Sequence, residues 1–109
     1  METKIIKIIT GEELICKLGE ILDKDDNQIG FKLIFPYKVV MRPIQSDSDV
    51  KYDINYVSWM GASSDGQFDI SLSSVISIGN PVTEVAKLYQ ERYEEYVAMI
   101  ESVNDESVL

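Results

Sequence analysis

The sequence predicts a mainly β domain, a five-stranded and strongly bent antiparallel sheet forming a small open barrel, followed by one C-terminal α-helix. Three observations predict it. Ile5-Ile6-Lys7-Ile8-Ile9 passes through Thr10-Gly11-Glu12 into Leu14, Cys16 and Leu18, which alternate with Glu13, Ile15 and Lys17. A β-branched run, a glycine turn and a second alternating run are a strand–turn–strand signal. Further alternating stretches follow, separated by turns rich in Gly, Asn, Asp and Ser. At Asn80-Pro81 the apolar spacing then changes from two residues to alternating threes and fours, the change from strand to helix.

Taken in order, the first strand is expected at about residues 3–9. The second, at about 12–22, contains Gly19, where a strand can bend sharply. Asp23-Lys24-Asp25-Asp26-Asn27 is a polar turn. The third segment, about 28–42, carries Ile29, Phe31, Leu33, Phe35, Tyr37, Val39 and Val40; Pro36 within it points to an edge position or a bulge. Pro43 and the polar run 45–49 read as a loop. In the fourth segment, about 52–60, Tyr52, Ile54 and Tyr56 share one face. Residues 61–66 form a Gly/Ser turn, Phe68, Ile70 and Leu72 alternate again, and Val75 to Ile78 complete the last strand.

The helix is expected over 81–103, with Asn80 as N-cap, Pro81 at the first position and a flexible tail at 104–109. Val82, Ala86, Tyr89, Tyr93, Tyr96, Ile100 and Val103 form a heptad-like stripe, widened by Val85, Leu88 and Val97. That stripe suits packing on the chain's own sheet or on a neighbouring subunit.

At 109 residues the chain reads as one domain, 1–80 being the β part. The net charge of −9 is uneven: residues 52–80 carry three acids and no base, and residues 81–109 carry Lys87 and Arg92 against seven acids. Such a chain is repelled by phosphate overall, which disfavours strong non-specific nucleic-acid binding and predicts no DNA partner. No apolar run approaches the ~18–20 residues of a membrane span, so no membrane partner is expected and the location is read as cytoplasmic. The single cysteine, Cys16, falls in the alternating apolar set and is expected to be buried.

Catalytic chemistry is hard to build from these residues. The absence of histidine removes His-based acid–base catalysis and Ser/His/Asp triads, and one cysteine cannot make a Cys-based zinc site. There is no phosphate-binding glycine loop. Asp23, Asp25 and Asp26 are spaced like the start of a calcium loop, but Gly30 and Phe31 stand where that loop continues differently. No enzyme, cofactor or metal is expected.

The N-terminal residues resemble the Sm/Lsm (Sm-like) family. The stretch from Ile6 to Leu18 is similar to the family's first two strands with Gly11 at the turn, and Asp23 and Asn27 match the Asp-x-x-x-Asn spacing of its first motif. The stretch Ser58-Trp59-Met60, the following turn, Phe68-Asp69-Ile70, Ser74 to Ile78, Pro81 and the helix with Val85 and Tyr89 resemble a branch encoded by T4-like phages of marine bacteria. The resemblance implies an Sm fold and a homo-oligomeric ring, with five to seven subunits expected, bound to RNA or a ribonucleoprotein in the (host) cytoplasm. It marks Asp23, Asn27 and Lys24 as RNA-binding candidates, with Met60-Gly61 as the nearest match to the second motif's cation–Gly pair. Lys32, Lys38 and Arg42 are further candidates for phosphate contacts. Asp25 stands where RNA-binding members place a stacking aromatic or histidine. The alternative is a ring that has lost RNA binding and docks proteins through its acidic helix.

Overall fold

The computed structural model of the chain describes residues 1–45, 50–63 and 65–107. Among the described residues six antiparallel strands are formed: β1 (Glu2–Ile8), β2 (Glu13–Leu22), β3 (Gln28–Gln45), β4 (Val50–Ser58), β5 (Gln67–Ser71) and β6 (Val75–Gly79). A 3-10 turn, Leu72–Ser74, separates β5 from β6, and the helix α1 spans Thr83–Ser107. The strand order is β4-β3-β2-β1-β6, with β5 also on β3. β5 pairs with Gly30 to Ile34 and β4 with Tyr37 to Gln45, so the two lie end to end along one side of β3. The six strands therefore fill five lanes. The last segment read from the sequence as one strand is split where alternation fails, at Leu72–Ser74.

The first turn is as tight as its glycine allows. Gly11 has φ 90°, its N–H donates to the Ile8 carbonyl at 2.8 Å, and the Ile8 N–H donates to Glu12 at 3.1 Å. Only glycine adopts that conformation without a Cβ penalty.

Two apolar layers hold the chain. The inner one buries Ile6, Ile8, Leu14, Cys16 and Leu33, with Phe31, Trp59, Ile70 and Val75 packed against them. Ile70 of β5 and Val75 of β6 come from opposite ends of the strand order, so the sheet curls around this cluster. The outer layer buries Ile15, Val39, Val85 and Tyr89 against Ile5, Phe35, Tyr37, Ile54, Tyr56 and Tyr93. A sheet covered on both faces needs apolar residues on both, which is why Ile5-Ile6 and Leu14-Ile15-Cys16 are consecutive.

The register of β2 on β3 slips at the centre: Ile15 opposes Tyr37, but Lys17 opposes Ile34. Cys16 thus faces Phe35 and Pro36 together, a β-bulge with Phe35 at φ 51°. One extra residue inverts side-chain parity. Phe31 and Leu33 point into the inner layer, whereas Phe35, Tyr37 and Val39 point to the outer one. Gly30 permits the neighbouring approach of β5, since a Cβ there would stand 2.6 Å from the Ile70 carbonyl oxygen.

Three boundaries differ from the sequence reading. β3 continues through Pro43 to Gln45, and residues 46–49 of the expected loop lie outside the described residues. Beyond Lys38, β3 has a partner on one side only, where a missing N–H costs least. Asn80 does not cap the helix. Its side-chain oxygen accepts from Lys4 Nζ at 2.7 Å, and helical bonding begins with the Ala86 N–H donating to Val82. The chain must first cross from the β6 edge to the outer face. α1 also runs past the expected end at 103 to Ser107, because no Gly or Pro interrupts it; of the expected tail, 108–109 lie outside the described residues.

Burial in the inner layer pushes the Cys16 thiol pKa up to about 12. The reactive thiolate is therefore almost absent at neutral pH. Cys16 is expected to resist Ellman's reagent at pH 8 in the folded protein and to react fully in guanidinium chloride. Rapid native labelling would contradict its place in this core.

Candidate nucleic-acid interface

The Asp23–Asn27 turn joins β2 to β3, and Asp23 organises it. Asp23 Oδ1 accepts from the backbone N–H groups of Asp25 at 2.8 Å and Asn27 at 3.0 Å. The Asp23 N–H donates to the Asn27 carbonyl at 2.9 Å, and the Asp26 N–H donates back to Asp23 at 3.1 Å. Asp26 takes the left-handed conformation at φ 63°, which Asp tolerates better than most residues. Asn27 touches Asp23 Oδ2 only at 3.5 Å, so its exposed carboxamide keeps most of its bonding capacity. Lys24 is exposed and enters no ion pair among the described residues. The turn therefore presents one amide and one ammonium beside three carboxylates.

Backbone donors, first Asn27 and then Asp25, hold the Asp23 carboxyl below the ordinary aspartate pKa. A depressed folded-state pKa contributes stability above the unfolded value, ~3.9, and that contribution is lost as pH falls through the folded value. An NMR titration of Asp23 should give a midpoint below ~3.9. Asp23→Ala should abolish that titration and speed amide exchange at Asp25 and Asn27. An ordinary midpoint would mean that the carboxylate does not hold the turn.

Met60 and Gly61 lie elsewhere. They follow β4, whose Ser58 opposes Tyr37, and the Trp59 N–H donates to the Pro36 carbonyl at 3.2 Å. The run of β3 from Gln28 to Pro36 separates them from the Asp23–Asn27 turn, roughly 25 Å at a strand's rise. The turn at β5's other end, Leu72–Ser74, is the one near the start of β3, because Ser71 pairs with Gly30. Its hydroxyls are linked, Ser71 to Ser74 at 2.8 Å and to Ser73 at 3.2 Å. The sequence signal for it was the three-residue step from Leu72 to Val75 within an alternating run.

The other candidate cations are partly spent. Lys32 pairs with Asp69 at 3.1 Å and Lys38 approaches Glu12 at 4.0 Å. Lys17, which was not among the candidates, lies under α1, donating to Thr3 at 2.7 Å and Gln90 at 2.9 Å, with its ammonium 4.8 Å from the Tyr93 ring centre. Arg42, opposite Asp53 in the register, is exposed. Among the described residues no group of three or more His, Cys, Asp or Glu could hold a metal ion, and no helix is long and apolar enough to cross a membrane.

No curated protein matches the chain. A family model, the Sm-like domain, matches residues 5–90, from β1 into the middle of α1. Together with the bent antiparallel sheet, the first-turn glycine and the Asp-x-x-x-Asn turn, this match shows that the chain belongs to the Sm-like domain family.

Proposed function

We propose that the chain is the subunit of a homo-oligomeric ring of five to seven copies, a non-catalytic, RNA-associated scaffold in the cytoplasm. The observation that carries the reading is the pair of open edges at opposite ends of the strand order. Among the described residues, the outer side of the β4/β5 lane has no strand partner, and on the other side neither has the outer edge of β6. Each edge exposes large apolar side chains: Ile76 (64%) and Ile78 (45%) on β6, and Tyr52 (55%) and Val57 (54%) on β4. Exposed edges of this kind invite pairing. A β6 added to the β4/β5 lane of the next copy leaves a new open edge, and a head-to-tail contact of this kind closes into a ring when the rotation per copy divides a full turn. Light scattering should report the oligomer, and a stable monomer at micromolar concentration would overturn the reading.

The RNA part rests on family membership and on the Asp23–Asn27 turn, where Asp23 fixes the loop and leaves Asn27 and Lys24 exposed. Fluorescence titration with oligo-U and oligo-A should detect salt-sensitive binding at about tens of micromolar, weakened by Asn27→Ala. Absence of binding would favour the second reading, a protein-docking ring. That reading is supported by Glu84, Glu91, Glu94, Glu95 and Glu101, all exposed along α1 and suited to a basic partner. Pull-down from a host lysate separates the two by what is recovered, RNA or protein. We also propose that the source is a phage of the T4-like marine type, supported by the stretch from Ser58 to Tyr89.

A further inference from the structure

A groove of about 370 Å³ opens on the outer face of the sheet beside the start of α1. Ile5 and Lys7 of β1, Ser77 and Gly79 of β6, Met41 and Val82 line it. α1 covers the outer layer from Val85 onward but leaves this end open, with Val82 61% exposed. We propose that, in the assembly, the groove is filled by residues 59–63 of a second copy of the chain, with Met60 as the apolar plug. The proposal rests on the ring reading above and adds a contact that strand pairing alone does not require.

Topology brings the two together. A second copy's β5 laid antiparallel on the open edge of β6 runs from its Ser71 beside Val75 to its Gln67 beside Gly79. What precedes that β5 then arrives where β6 leads into the groove. The arriving segment is preformed: Met60 sits at φ 53°, the Ser63 N–H donates to its carbonyl at 2.9 Å, and its side chain is 52% exposed. A methionine adapts to an irregular apolar slot. Charge supports a head-to-tail arrangement. Asp69 is already paired with Lys32, Lys4 is paired with Glu2 and β4 also carries Lys51, so the complement is local: Asp65 just before β5, and Lys7 of β1, which stands in register with Glu13 at the groove. Lys7 and Asp65 are both exposed, and neither enters an ion pair among the described residues. Opposite signs at the two ends favour unlike surfaces meeting and disfavour two like ends.

Paired cysteines test this, because Cys16 is buried and silent. Met60→Cys with Val82→Cys should give a ladder of intermolecular disulfides on oxidation, and either single substitution should not. Asp69→Cys with Ser77→Cys reports the strand seam independently. A ladder from the seam pair but none from the groove pair overturns the groove contact and leaves the ring standing. Failure of both pairs in a protein that scatters as a monomer overturns the ring and the groove contact together. Met60→Ser should weaken self-association at least about tenfold with unchanged far-UV circular dichroism, and undiminished association would refute the plug. Protection of the Val82→Cys thiol from labelling by oligo-U, without crosslinking, would assign the groove to nucleic acid instead.

Discussion

Tyr89→Phe is expected to lower the unfolding free energy by about 2–4 kcal/mol, a large effect for the loss of one oxygen atom. Tyr89 is 1% exposed, and its hydroxyl sits in the β2–β3 ladder at the bulge. It donates to the Ile34 carbonyl and accepts from the Lys17 N–H, each at 3.1 Å. Lys17 and Ile34 oppose each other in the register, so the phenol oxygen bridges backbone groups that the bulge holds apart. Phenylalanine keeps the ring and leaves both partners unsatisfied, at ~1–3 kcal/mol each. Tyr89→Ala adds a cavity and should cost more, about 3–5 kcal/mol. Burial also pushes the Tyr89 phenol pKa upward, so the hydroxyl stays protonated and able to donate. Urea unfolding at fixed protein concentration measures the effect, with hydrogen exchange at the Lys17 amide as the local reporter. A loss below ~0.5 kcal/mol would show that water replaces the phenol.

The second large effect is at Phe35, where glycine should be tolerated better than alanine. Phe35 is the hub of the aromatic cluster. Its ring stacks on Tyr96 at 4.5 Å, meets Tyr37 edge-on at 4.8 Å, and lies near Tyr89 and Tyr93 at 6.0 and 6.2 Å. Phe35 is partly buried, so removing the ring in Phe35→Ala should cost about 2–4 kcal/mol, below the full core-aromatic value, and loosen the helix from the bulge. Yet Phe35 has φ 51°, a conformation costing a residue with a Cβ roughly 1–2 kcal/mol. Phe35→Gly loses the same ring but relieves that strain, so it should unfold at the higher denaturant concentration of the two. In an ordinary strand glycine is the worse choice. Should alanine prove the more stable, the left-handed bulge is not a property of the folded protein.

Much of this fold is legible in the residues. Gly11 marks the first turn because only a glycine suits its φ, and Asp23 with Asn27 marks the second because a short carboxylate can bond the backbone N–H groups ahead of it. Pro36 marks the bulge because a residue without an N–H breaks a ladder. Asn80, by contrast, has the chemistry of a cap and is used as an acceptor for Lys4, since capping is a local preference that a tertiary partner can override. Met60-Gly61 was paired with Asp23 and Asn27 by its likeness to a motif. Spacing along the chain does not reveal that β4 and β5 lie end to end, which leaves that dipeptide at the far end of β5.

By itself the sequence determined where strands alternate, where they turn and where the helical period begins, because these follow from backbone sterics and the side-chain repeat of each element. Only the tertiary structure decided which face each strand turns to which layer. Phe31, Leu33, Phe35, Tyr37 and Val39 read as one alternating set with Pro36 inside it, yet the first two serve the inner core and the last three the outer. Parity along a strand is changed by a single bulge, and a bulge is defined by pairing with β2, some twenty residues earlier in the chain. The role of Tyr89 has the same origin. Its helical spacing marks it as apolar-facing, but the two backbone groups it joins become neighbours only when β2, β3 and α1 meet.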